Sequence, residues 1–274
     1  MSLIKFINHK VFPAVGRNIS PLRFMSPVDY YATMRNKPLV PGETRVLGLP
    51  TRYSDKNGLF HSLGELFGDE VYRFEATTDT PRIIDAGANI GLSVRYFKSL
   101  YPNSRILAYE PDPQIFGILK ENVGAMPGVE LREAAAWVEN TKLTFYVEGS
   151  LAGSSEIDFL GKKEVLEVAA ERLRDEVVKE HVDFLKIDIE GAENSVLFDI
   201  EDALENVENL FFEYHSTPGK DQQLGDLLNI VSKAGFRYTI NGPHGAAHPF
   251  VETVPHGFDL QLNVSCYRTV NGGA

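Results

Sequence analysis

Cysteine is almost missing from this chain of 274 residues: Cys266 stands alone, so neither an intrachain disulfide nor a cysteine metal cluster can form. A reducing, cytoplasmic compartment fits that scarcity. Basic residues are in deficit, 27 Lys and Arg against 38 Asp and Glu, and the resulting net charge of -11 argues against nucleic acid as the main partner. No apolar run approaches the roughly 18 residues that a membrane-crossing helix requires. The N-terminus, MSLIKFINHKVFPAVG, is interrupted by Lys5, His9 and Lys10 and leads to no small-residue cleavage site, so it does not read as a secretory signal. Internal repeats and low-complexity segments are also missing. So is the dinucleotide fingerprint G-x-G-x-x-G, which weakens the reading as an NAD-dependent oxidoreductase.

What is present is alternation. From residue 82 onward, short β-branched or aromatic runs alternate with helix-compatible segments. Strand signals fall at 82–86, 105–110, 129–135, KLTFYVEG, VDFLKIDIEG, ENLFFEYH, FRYTIN and DLQLNVSCYR, with helices at 90–100, 112–123, AENSVLFDIEDAL and DQQLGDLLNIVSKAG. LEVAAERLRDEVVKEH reads as a short strand edge followed by a helix. Repeated strand–helix units predict an α/β fold with a doubly wound, mostly parallel sheet. The last two strands have no helix between them and are expected to pair antiparallel at one edge. Residues 1–45, with Pro13, Pro21, Pro27, Pro38 and Pro41, read as an irregular N-terminal extension to a domain spanning 46–274. Its apolar residues Leu3, Ile4, Phe6, Ile7, Val11 and Phe12 are expected to dock on the body or on a sister subunit, the second giving a homo-oligomer. Contact with a membrane surface is the weaker alternative.

The chemistry begins at IIDAGANIG, residues 83–91. An apolar strand ends in Asp85, and a turn with Gly87, Asn89 and Gly91 leads into a helix. Glycine and asparagine tolerate left-handed backbone angles, so the stretch reads as a strand, a tight turn and a helix N-terminus. In open α/β sheets, ligands bind beyond the carboxyl ends of the strands. Glu110 ends the next strand, in AYEPDP, where a carboxylate can accept bonds from both hydroxyls of a ribose. Pro111 and Pro113 fix the turn after it and launch a helix. D-x-G-x-N-x-G suits S-adenosylmethionine better than a dinucleotide. The cofactor carries an ammonium for a carboxylate and a carboxylate for backbone N–H groups, and it has no pyrophosphate. Asp85 as a simple turn carboxylate, and Glu110 as a solvated strand end, are the plainer readings.

A second constellation is VDFLKIDIEGAEN, residues 182–194. Alternation along the strand puts Lys186, Asp188 and Glu190 on one side, where three charges need partners or a polar cleft. One explanation is structural, with Lys186 paired to a carboxylate and Glu193 capping the next helix; the other is a reaction cleft. Glu213 and His215 share one face of the following strand, and His215 suits a general base. With Asp188 they also suit an oxygen/nitrogen metal site, a reading that is not favoured. His244, His248 and His256 lie in a loop expected over 242–257 and form a weaker candidate cluster.

Together IIDAGANIG, AYEPDP and DFLKIDIEGAE resemble the FkbM-type S-adenosylmethionine-dependent methyltransferases over roughly 80–215. The resemblance implies a seven-stranded Rossmann-like sheet of order 3-2-1-4-5-7-6 and the cofactor S-adenosylmethionine. It implies that Asp85, Gly87, Asn89 and Gly91 line the methionine part and Glu110 and Pro111 the ribose. Ala135, Ala136 and Trp137 would lie near the adenine, though ordinary packing is the plainer reading of Trp137, the one tryptophan. Asp188 would face the same crevice as Asp85, with Asp188, Glu190 and His215 as catalytic candidates. The small, hydroxyl-rich stretch GSLAGSS, 149–155, would border the cleft. The implied reaction is O-methylation of a sugar, polyketide or other small-molecule or glycan hydroxyl. N-methylation, and a non-catalytic interaction module on the same fold, are the alternatives.

Overall fold

Strands that are apolar on both sides need cover on both faces, and the two runs with that pattern, RIIDA and VDFLKI, lie side by side at the centre of the sheet. A computed structural model of the protein describes residues 20–146, 165–245, 248, 250–251 and 258–268. In chain order its strands are Gly42–Val46 (β1), Leu49–Tyr53 (β2), Arg82–Ala86 (β3), Arg105–Tyr109 (β4), Val129–Arg132 (β5), Ala135–Trp137 (β6), Thr141–Tyr146 (β7), Val165–Arg172 (β8), Val182–Ile187 (β9), Val207–Ser216 (β10), Arg237–Gly245 (β11) and Leu260–Tyr267 (β12). Seven of them form one sheet in the order β11-β12-β10-β9-β3-β4-β5. Counted within the sheet and read from its other edge, this is the 3-2-1-4-5-7-6 order implied by the resemblance. The first five run parallel, and β12 lies antiparallel between β10 and β11.

Period-two alternation sorts the sheet residues into two cores. Ile84, Ala86, Leu107, Tyr109, Leu185, Ile187, Leu210 and Phe212 belong to one. Ile83, Ile106, Ala108, Phe184 and Phe211 belong to the other, with the aromatic rings of Tyr72, Phe74 and Phe97. Tyr72 meets Phe211 edge-on at 4.7 Å, and Phe74 and Phe97 meet Phe184 at 4.9 and 5.2 Å. Asp85, Lys186, Glu213 and His215 fall on the parity of this second face. The alternation that builds the aromatic core therefore delivers the charged side chains to its rim, at the carboxyl ends of the strands.

Several elements differ from the sequence reading. The proline-rich extension contains a helix, Pro27–Arg35, because Pro27 sits at its first position, where no N–H is needed, and Ser26 caps it. Met25 is buried in the second core, and β1 spans the expected boundary at residue 45. RVLGLPTRY, a run that predicts one short strand, is a hairpin. The helix predicted by LFHSLGELFGDEVYRF starts earlier, as an α-helix over Lys56–Ser62, and continues as a π-helix over Leu63–Asp69. The strand expected over 129–135 divides into β5, in the main sheet, and β6, in a separate three-stranded sheet of order β6-β8-β7. The short strand edge expected before residue 173 is the eight-residue β8. The expected 242–257 loop starts late: β11 continues through His244 to Gly245, with a register shift after Asn241. Residues 149–155 and His256 lie outside the described residues, as do residues 1–19.

Candidate active site

Gly87 and Gly91 both adopt φ +89°, and Asn89 between them φ +48°, as the left-handed turn required. The N–H groups of this turn are donated within the protein. Those of Gly87 and Ala88 go to the Tyr109 carbonyl, that of Asn89 to Glu110, that of Ile90 to the Asn89 side chain and that of Gly91 to the Ala88 carbonyl. The donor end that remains is the first turn of the helix Leu92–Leu100, which no side chain caps. Gly87 is bare for a different reason than ligand approach. A Cβ there would stand 1.9 Å from the Asp188 carbonyl oxygen, so the two motif turns lie in direct backbone contact.

Asp85 is fully buried. Its Oδ2 accepts a 2.5 Å bond from Ser93, and its Oδ1 is 3.3 Å from the Lys186 ammonium. Lys186 also lies 3.3 Å from Asp188 and donates to the Gly87 carbonyl at 2.8 Å. Burial works against the Lys186 charge, but Asp188 and Asp85 outweigh it and hold its pKa above the ordinary lysine value. Lys186 thus ties the glycine turn to the second motif, and the structural reading of its pairing is correct.

Glu110 receives the Asn89 N–H at one oxygen and the Asp112 N–H at the other, both at 3.0 Å. Each oxygen keeps a second lone pair for another donor. Burial raises its pKa to about 7, against the lowering effect of those two N–H bonds. Pro111 follows, and Asp112 caps the helix Pro113–Val123 through the N–H groups of Gln114 and Ile115. The segment leading to β6 leaves β5 beside Glu110, whose N–H bonds the Arg132 carbonyl. In β6, Ala136 is buried, while Trp137 is half-buried against the first core.

Beyond β9 the chain turns sharply, with Glu190 at φ +58° and Gly191 at φ +101°. Glu190 is therefore not on the strand, although its Oε2 comes within 3.6 Å of His215 Nε2. Glu193 opens the helix Glu193–Asp199 but does not cap it, since no side chain caps that helix start. It is buried, accepts the N–H groups of Ile189 and Gly191, and lies 3.1 Å from His215 Nδ1. The His215 ring is buried against Phe258, its centroid 4.2 Å away. Burial alone would lower its pKa, but Glu193, Glu190 and Glu213 raise it to about 10. The three carboxylates thus favour the protonated ring in the ligand-free site, where a general base would need the neutral one.

Asp188 and Glu213 are in hydrogen-bond contact. Burial opposes ionisation of Asp188, yet Lys186, His215 and the bond from Glu213 hold its pKa below the usual value. Burial and the Asp188 charge push Glu213 up to about 9. Burial likewise raises Glu190, to about 8. Three residues here had no local signal in the sequence. Gln261 of β12 donates to Glu213, and Asn263 of β12 donates at 3.0 Å to Glu65 of the π-helix.

This crevice joins the glycine turn, an acidic strand end and a carboxylate-rich second turn, and residues 85–238 match the sequence profile of the methyltransferase FkbM domain. The chain belongs to the FkbM methyltransferase family. As a member it is an S-adenosylmethionine-dependent methyltransferase. Methyltransferase 1 of Beauveria bassiana is 27% identical over 208 residues, covering 66% of this chain and 82% of that protein. 2-O-methyltransferase NoeI of Sinorhizobium fredii is 28% identical over 163 residues, covering 53% and 65% respectively. The 31-O-demethyl-FK506 methyltransferase FkbM of Streptomyces tacrolimicus is 24% identical over 212 residues, covering 63% and 79%. The matched stretch spans both carboxylate-bearing turns and β10. Among the described residues, no helix is long and apolar enough to cross a membrane.

Proposed function

We propose that this FkbM-type enzyme methylates a hydroxyl oxygen of a small molecule or glycan, with its cofactor seated between the glycine turn and Glu110. The supporting observation is the contrast between two carboxylates. Asp85 is sealed beneath the turn, whereas Glu110 keeps lone pairs available beside it. In this reading Glu110 accepts the ribose hydroxyls, the uncapped helix start at Leu92 receives the carboxylate of the methionine part, and Asp85 acts by holding Lys186 and the turn in place. Asn89, Gly91 and Pro111 shape the wall, and Ala135, Ala136 and Trp137 border the adenine.

S-adenosylmethionine supplies a methyl group already activated on a sulfonium, so the protein's work is placement and proton removal. Bound there, the cofactor would supply that methyl to the acceptor oxygen and would leave as the thioether, keeping the electron pair of its sulfur–carbon bond. The hydroxyl proton goes to a carboxylate of the Asp188–Glu190 pair. His215, cationic and clamped by Glu193, steadies the charge of that pair rather than taking the proton. Preference for oxygen over nitrogen draws support from two relatives, a 2-O-methyltransferase and a 31-O-demethyl-FK506 methyltransferase.

The test is calorimetric titration of wild type and Glu110→Ala with S-adenosylmethionine, then a labelled-methyl assay against paired alcohol and amine acceptors. Affinity at least tenfold weaker in Glu110→Ala, and a methyl ether as product, are expected. Unchanged affinity in the variant, or an N-methyl product, would overturn the assignment it addresses.

A further inference from the structure

Among the described residues, one trio of side chains has the composition and spacing of a metal site: Asp188, Glu213 and His215, each offering a ligand atom within 4.8 Å of the others. Carboxylates crowded at a cleft are common without a cation, so the trio alone decides nothing. The histidine adds a separate observation. His215 is 4% exposed, and its Nε2 has no hydrogen-bond partner. A buried imidazole nitrogen without a partner is costly in a folded protein. The nearest carboxylate oxygen to it, from Glu190, is at 3.6 Å, too far for a hydrogen bond.

The other ring nitrogen is already committed. Nδ1 lies 3.1 Å from Glu193, a carboxylate anchored by the N–H groups of Ile189 and Gly191. A carboxylate fixing one nitrogen while the other faces outward is how metal-bound histidines are oriented. Asp188 and Glu213, meanwhile, are in direct contact, a pairing of like groups that needs a proton or a cation between them. Both are only partly buried, which leaves a path from solvent to the site.

We propose that Asp188, Glu213 and the Nε2 of His215, which gives up its ring proton to solvent on binding, hold one divalent cation of the oxygen-preferring kind, magnesium or manganese, at the acceptor end of the cleft. The donor set of two carboxylates and one imidazole leaves coordination positions open for water or for an acceptor hydroxyl. The inference rests on the methyltransferase reading of the same cleft and refines it. With Asp188 engaged as a ligand, the acceptor oxygen is placed and polarised by the cation, and Glu190 is left to take its proton. Acceptors with two neighbouring oxygens are favoured, since both can reach the open positions.

The probe is manganese alone, added to chelator-treated, full-length protein and followed by the loss of the free-ion paramagnetic resonance signal. S-adenosylmethionine titrations without metal run on the same samples, and circular dichroism melts confirm folding. One manganese per chain is expected for wild type. Glu213→Gln and His215→Gln should each bind it at least tenfold more weakly, with cofactor affinity in Glu213→Gln within about threefold of wild type. Folded wild type that binds S-adenosylmethionine but no manganese would overturn the proposal and leave the cofactor site standing. Manganese binding that survives in both folded variants would overturn it as well. If one variant fails to fold, the other and the wild-type stoichiometry still decide the question.

Discussion

At Gly87 and Gly91 the same backbone angle serves two different neighbours. An alanine at either position would have to adopt a left-handed conformation, costing about 1–3 kcal/mol. At Gly91 the added methyl meets Leu119 at 2.9 Å and Val123 at 3.0 Å, side chains that can yield. At Gly87 it meets the Asp188 carbonyl at 1.9 Å, and backbone there cannot retreat without pulling β9 from β3. Gly87→Ala should therefore destabilise the protein by about 3 kcal/mol or more and Gly91→Ala by about half as much, an ordering that urea denaturation will check. The sequence disclosed that these glycines sit in a strained turn. It did not disclose that one of them is a contact point between the two motifs, because that neighbour is about a hundred residues away.

Among the elements, the helices around the glycine turn are held by an amide rather than by apolar packing alone. Asn122 on the helix Pro113–Val123 donates to the carbonyls of Arg52 and Ile90 at 2.9 and 2.8 Å and accepts the Arg52 N–H at 2.9 Å. Arg95 adds bonds to Thr51, Pro50 and the Asn122 carbonyl. Asn122→Ala leaves one buried and two partly buried backbone groups unpaired, so a loss of about 2–4 kcal/mol is expected in chemical denaturation. Because Ile90 belongs to the turn, S-adenosylmethionine affinity measured by calorimetry should also fall, by about tenfold. The strand–turn–helix units were legible because apolar periodicity and turn residues are local signals. The pairing of β6 with β8 was not, since partners such as Ala135 and Ala170 are far apart in the chain and LEVAAERL fits a strand edge as readily as a helix start. The clamp of Glu193 on His215 escaped for the same reason: a glutamate at a helix start reads locally as a cap, whereas its histidine partner belongs to the next strand.

At the scale of the whole molecule, an acidic protein has gathered many of its carboxylates into one partly dry crevice, and this makes ligand binding depend on pH. Glu110 titrates at about 7 without ligand, whereas bonds from two hydroxyls favour its ionised form. Cofactor affinity should be flat above pH 8 and weaken below pH 7 by up to about tenfold per pH unit, a slope that Glu110→Gln should abolish in calorimetry from pH 5.5 to 8.5. The sign is opposite for stability. The folded pKa lies above the ordinary glutamate value, so the folded state holds more protons between about pH 4.5 and 7, and Glu110 costs the ligand-free fold more as pH rises through that window.

The placement of β12 also bears on how the protein is made. This strand emerges from the ribosome after every other described strand, yet it is inserted between β10 and β11, and it carries Gln261 and Asn263, the amides that meet Glu213 and Glu65. Until it arrives, the nascent chain has a sheet ending at β10, with unpaired backbone along a strand that carries Leu210, Phe211 and Phe212. The crevice is thus finished last, and premature termination before Leu260 removes both the amide partners of its acids and the strand that shields the sheet from aggregation.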